Sequence, residues 1–193
     1  MDSFEFVQIP VAIVLGFAIS EILAGWGHQL RHRHEQPFSG LQLLASGYVL
    51  MWALRYLWVQ WSLRPEVWDY PAYLLSVAPA VLIALAAHSA RFDPNPHQSD
   101  ERSPYERTRQ PVCGLLALLP LFLVLRIIYI AGPGNAPAVP GAVFVPVGFA
   151  IMTLIFVRLA ISDRPLEQWV GWCINWALLL GFSAVMVPKL ATV

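Results

Sequence analysis

Two stretches of the chain, residues 70–90 and 168–188, contain no Asp, Glu, Lys or Arg. Each is long enough to cross a bilayer core of about 30 Å, which takes about 20 helical residues. Lipid offers no partner to an open backbone N–H or C=O, so such a run has to be helical. Four further runs, 6–30, 41–63, 111–131 and 142–162, carry a single charged residue each. Hydrophobic residues make up 58% of the chain and charged ones 12%, half the charge of a typical soluble domain at about 25%. The expectation is an all-α fold. It is a polytopic transmembrane bundle of six helices spanning about 6–30, 41–63, 71–91, 111–131, 142–162 and 168–188, one transmembrane domain over residues 1–193.

The breaks between spans have local causes. Arg31-His32-Arg33-His34-Glu35-Gln36-Pro37 is too polar to stay in lipid and ends in a helix breaker. Arg64-Pro65-Glu66 and Asp163-Arg164-Pro165 act in the same way, and Gly132-Pro133-Gly134-Asn135 is rich in turn residues. Residues 92–110 form the one long polar loop. The acidic N-terminus lacks the positive start of a signal peptide, so the first apolar run is expected to be a retained helix.

Orientation follows from Arg and Lys in the short loops. Arg31, Arg33, Arg91, Arg102, Arg107, Arg109 and Arg164 fall on one side, against Arg64 and Lys189 on the other. That asymmetry puts loop 92–110 in the cytoplasm and both termini in the periplasm. Trp26, Trp169 and Trp172 then lie at the inner interface and Trp58, Trp61 and Trp68 at the outer one, as two aromatic belts.

Small residues let membrane helices approach closely. Ala12, Gly16, Ser20 and Ala24 recur every four residues in the first span, and Ala72, Ser76, Ala80 and Ala84 do so in the third. The two faces are expected to pack on each other. Pro79 and Pro120 fall inside the third and fourth spans, where each removes a backbone hydrogen bond.

Four ionisable residues lie within the expected spans and form the candidate polar site: Glu21, Arg55, Arg126 and Arg158. Charge in the bilayer core costs at least about 2.5 kcal/mol, so these groups should face protein or water. A long Arg near a helix end reaches the headgroups, whereas Glu21, about 5 Å from the midplane at 1.5 Å per residue, is too short to do so. Glu21 is therefore expected to pair, to be protonated or to contact an aqueous cavity, and Arg158, at similar depth, is the expected partner if the first and fifth helices are neighbours.

All five histidines, His28, His32, His34, His88 and His97, fall at or beyond the cytoplasmic interface. His28 and His32 are four apart. His28 and His88 are the only two that spans could offer as axial haem ligands, and interfacial polarity is the default for all five. Cys113 and Cys173 stand alone, without metal-ligand spacing, near cytoplasmic helix ends where a disulfide is not expected. The chain contains no G-x-x-x-x-G-K-[ST], H-E-x-x-H, G-x-S-x-G or G-x-G-x-x-G, and no basic block interleaved with aromatics. No catalytic residue, metal, cofactor or nucleic-acid partner is assigned. The partners implied are the lipid bilayer and another membrane protein or a second copy.

The first span, Val14-Leu15-Gly16-Phe17-Ala18-Ile19-Ser20-Glu21-Ile22-Leu23-Ala24-Gly25-Trp26-Gly27 followed by Leu30-Arg31, resembles the opening of small uncharacterised six-helix bacterial inner-membrane proteins. The resemblance implies a multi-pass protein of the bacterial inner membrane. Bacterial relatives of the endolysosomal potassium channel also have six helices in a similar length, with Phe-Ser-Asp in the first helix. Here the corresponding residues are Ile19-Ser20-Glu21, which differ at both flanking positions. The expected function is thus that of a non-enzymatic helix-packing subunit of a homo-oligomer or larger complex. A small oligomeric channel or transporter using Glu21 and the arginines is the second expectation, and a cofactor-binding protein or enzyme the third.

Overall fold

A computed structural model of the chain describes residues 3–31, 39–62, 69–91, 104–131 and 144–186. These form six α-helices: α1 (Ser3–Arg31), α2 (Gly40–Ser62), α3 (Tyr70–Ala90), α4 (Pro104–Ala131), α5 (Phe144–Ile161) and α6 (Pro165–Met186). Three of them contain stretches long and apolar enough to cross a membrane: Phe4–Arg31, Tyr70–Ala90 and Tyr105–Tyr129. The apolar stretch of α5, Pro146–Ile161, is shorter.

Helix ends follow from the chemistry of their first residues. Asp69 caps α3, its carboxylate accepting the Ala72 N–H at 2.9 Å. The chain leaves α3 at Arg91, whose N–H bonds the His88 carbonyl at 3.2 Å. Two starts differ from expectation, and both turn on proline. A proline in the first turn needs no N–H partner and is already set for helical φ. Pro104 and Pro165 use this to begin α4 and α6, each followed by an acidic residue in the first turn, Glu106 and Glu167. Residues 104–110, expected in the cytoplasmic loop, are therefore helical, and Pro111 lies inside α4 instead of opening it. Residues 92–103, with His97, lie outside the described residues, as do His32 and His34. Pro79 and Pro120 stay inside α3 and α4 as expected, both buried.

The helices pack as a bundle around α2. In backbone approach α1 packs on α2 and α3, α3 on α4, α4 on α5 and α5 on α6, while α2 also meets α3, α4 and α6. One face of α2, Tyr48, Val49, Trp52, Ala53 and Tyr56, is at most 2% exposed. Tyr48 is its centre, with edge-to-face contacts to Trp172 at 5.4 Å, to Phe156 and Trp176 at 5.6 Å each and to Trp52 at 6.5 Å. Such ring pairs add about 0.5–1.5 kcal/mol beyond their buried area.

The two small-residue faces do not meet. On α3, Ala72, Ser76 and Ala80 are buried and Ala84 half-buried. On α1 the inward side chains are Val7, Val11, Leu15, Ala18 and Ile22, while Ala12, Gly16, Ser20 and Ala24 are all exposed. Larger side chains make more van der Waals contacts per turn, so the branched face of α1 is the one that packs inward. The tight glycine contact lies elsewhere. A Cβ at Gly171 in α6 would come within 2.6 Å of Leu159 Cδ2, whereas one at Gly16 would meet nothing within 4 Å.

Gly171→Val is expected to lower the thermal midpoint in detergent, because overpacking a close contact costs about 1–3 kcal/mol. Gly16→Leu should leave the midpoint of the single chain unchanged. Equal losses in the two variants, read by differential scanning fluorimetry, would contradict this packing.

Candidate functional site

The four in-span ionisable residues are held in four separate places. Arg126 in α4 is 1% exposed. Its Nη2 donates to Gln60 Oε1 at 2.6 Å, and its guanidinium carbon lies 5.9 Å from the centre of the Tyr56 ring. Gln60 passes the interaction on: its Nε2 donates to the Ser76 carbonyl at 3.0 Å, which also accepts the Tyr56 hydroxyl at 2.8 Å. That carbonyl lies one turn before Ala80 in a helix whose proline, Pro79, supplies no N–H of its own. A charge in α4, an amide in α2 and a carbonyl in α3 thus form one chain of hydrogen bonds. The acceptor that Gln60 offers to Arg126 is uncharged.

Arg55 faces the other way from α2. Its Nη1 donates to the Leu179 carbonyl at 2.8 Å and to Ser183 Oγ at 2.7 Å, both on α6, and its guanidinium carbon sits 5.6 Å from the Trp52 ring centre. Here too the acceptors are uncharged.

The expected pair of Glu21 and Arg158 does not form. Glu21 bonds Arg91 at 3.2 Å and lies 3.9 Å from His88 Nδ1. Arg158 bonds Glu167 at 2.9 Å. The reason is geometric: α1 packs on α2 and α3 and makes no close backbone approach to α5. Arg91 ends α3, so Glu21 sits at the level of that helix terminus, and its carboxylate is 31% exposed.

Glu167 anchors the turn between α5 and α6. It accepts from Ser162 Oγ at 2.7 Å, Arg158 Nε at 3.0 Å and Arg164 Nη1 at 3.3 Å. The Ser162 hydroxyl first, then the Arg158 and Arg164 charges, hold its carboxyl below the usual range. Beneath this turn, Arg109 Nη1 donates to the Ser162 carbonyl at 2.6 Å and Nη2 to Asp163 Oδ1 at 2.6 Å. Gln168 Nε2 donates to the Leu159 and Ser162 carbonyls at 2.8 and 2.6 Å, and its Oε1 accepts the Tyr105 hydroxyl. Tyr105 in turn accepts the Trp172 indole N–H at 2.8 Å. The whole network joins the start of α4 to the α5–α6 turn.

A search for charge finds the arginines but overlooks Gln60, the amide that accepts from Arg126, and Gln168, the buried amide of the α5–α6 network. Gln60 was detectable as a polar residue one turn beyond Tyr56 on the buried face of α2. Arg109 was missed because the helix was expected to begin at Pro111.

No group of three or more His, Cys, Asp or Glu side chains placed to hold a metal occurs among the described residues. His88 is exposed and His28 half-buried, while Cys113 is buried and Cys173 exposed. No protein-family model matches the chain, and neither the curated proteins nor the solved structures yield a match. The fold and its polar groups define an all-helical bundle with three helices long and apolar enough to cross a membrane, in which Arg55 and Arg126 donate to uncharged acceptors.

Proposed function

We propose that the chain is a multi-pass protein of the bacterial inner membrane that works as a non-enzymatic helix-packing subunit. Its partner is a second copy, docked through the outer face of α1. The observation that carries this reading is that Ala12, Gly16, Ser20 and Ala24 are exposed together on one side of α1, with open space at Gly16. The similar stripe on α3 is already used inside the bundle. A face of small residues every four positions is self-complementary, because two such helices interlock backbone to backbone. Ser20 adds a hydroxyl for a bond across that contact.

A channel reading needs polar groups along one path. Arg126 faces Gln60, Arg55 faces α6, Glu21 ends against Arg91, and Arg158 ends against Glu167. This dispersal favours a structural use of each. Association is the test. In lipid nanodiscs or mild detergent, native mass spectrometry should find an oligomer of this chain alone, and Gly16→Leu should dissociate it without lowering its thermal midpoint. Val157→Leu, on the exposed face of α5, should have no effect. A monomeric native protein, an oligomer indifferent to Gly16→Leu, or a heteromeric complex would each overturn the proposal.

The proposed orientation keeps both termini in the periplasm, supported by seven Arg on the loop and helix ends of one side against Arg64 and Lys189 on the other. Alkaline phosphatase fused after Val193 should be active, and the same enzyme inserted within residues 92–103 should be inactive. The reverse pattern would invert the topology.

A further inference from the structure

A small cleft opens where α1, α2 and α3 meet, walled by Trp26, Gln29, Gln42, Ser46 and Arg91 over an apolar floor that includes Ile22. It has room for about one water molecule. Two of its walls are amides nearly withdrawn from solvent, Gln29 at 7% and Gln42 at 4% exposed. Gln29 Nε2 and Gln42 Oε1 are both buried, and neither has a hydrogen-bond partner among the described residues. The other polar walls are engaged. Trp26 Nε1 donates to Ser46 Oγ at 2.8 Å, Ser46 Oγ donates to the Leu43 carbonyl at 3.2 Å, and Arg91 Nη1 is on Glu21 Oε2 at 3.2 Å.

These groups select the occupant by elimination. A bare cation would meet the Gln29 donor and the Arg91 guanidinium, and a bare anion would meet the Gln42 acceptor with Glu21 behind Arg91. The charges nearby already pair with each other. What the two amides lack is one acceptor and one donor, in a cleft too small for a phosphate or an ammonium headgroup. Water supplies both, and it does so whichever way either amide is turned. A buried polar group left unpaired costs about 1–3 kcal/mol, and ordered water is the usual remedy.

We propose that this cleft is a binding site for a single structural water that accepts from Gln29 and donates to Gln42. The water bridges the end of α1 to the start of α2. Together with the Trp26–Ser46 bond and the Glu21–Arg91 pair, it makes three polar ties between α1 and the bundle at one end of the helix. The outer face of α1 takes no part, so the site stands whether or not the chain self-associates.

The test is solution NMR of the full chain in nanodiscs with ¹⁵N-labelled glutamine. Rotating-frame and laboratory-frame cross-peaks from side-chain NH₂ groups to water distinguish a held water from bulk solvent. The exposed Gln110 is the reference for bulk contact. Gln29 should show a water cross-peak with the sign of long residence, and Gln110 should not. Gln42→Leu should abolish the Gln29 peak while leaving the Trp26 indole N–H resonance in place as a check that the cleft survives. If Gln42→Leu does not fold, the wild-type spectrum decides alone. Absence of the Gln29 water peak, or a peak to choline or ethanolamine headgroup protons in its place, overturns the proposal.

Discussion

The bundle depends on the contact between Arg126 and Gln60. A guanidinium withdrawn from water is costly unless its donors are met. A carboxylate would offer a stronger Coulomb attraction at the expense of desolvating a second ion. The amide avoids that second cost and still forms a charge-assisted hydrogen bond. Because Gln60 also donates to the Ser76 carbonyl, the position of Arg126 in α4 is locked to α2 and, through it, to α3. Arg55 repeats the principle toward α6 with a carbonyl and a hydroxyl.

That use of polar groups makes α2 the element the others are arranged around. Its side chains reach every other helix: Ser46 to Trp26 of α1, Tyr56 and Gln60 to α3, Gln60 to α4, Tyr48 to Phe156 of α5, and Arg55 to α6. Apolar helices alone gain little from leaving lipid for one another, so such directional contacts decide which faces meet. Close approach then fills in between them. Leu159 of α5 rests on Gly171, and the small residues of α3 lie buried within the bundle. α1 keeps its small-residue face outside.

The number and rough limits of the helices were legible in the sequence, because charge-free length is a one-dimensional property. Two helix starts were not, since Pro104, Pro111 and Pro165 all look like breaks and only a helix's first turn makes a proline welcome. Arg55 and Arg126 were legible as costly in lipid, but the Leu179 carbonyl and the Gln60 amide that accept from them are partners no search for opposite charge would find. The Glu21 assignment went astray for a related reason. Depth along the chain placed it near Arg158, whereas partner choice depends on which helices adjoin, and α1 adjoins α3. The small stripes were correctly seen as packing surfaces in α3 and wrongly matched to the inner face of α1.

The claim that Gln60 holds the buried Arg126 guanidinium is tested most directly by a double-mutant cycle on the two residues, read by unfolding in detergent. Gln60→Leu removes one charge-assisted hydrogen bond of the guanidinium and should cost about 1.5–3 kcal/mol, the range for hydrogen bonds to charged groups. Arg126→Leu in the same background should recover much of that loss, since no buried charge is then left to satisfy. Strictly additive losses, or a Gln60→Leu protein as stable as the parent, would contradict the account.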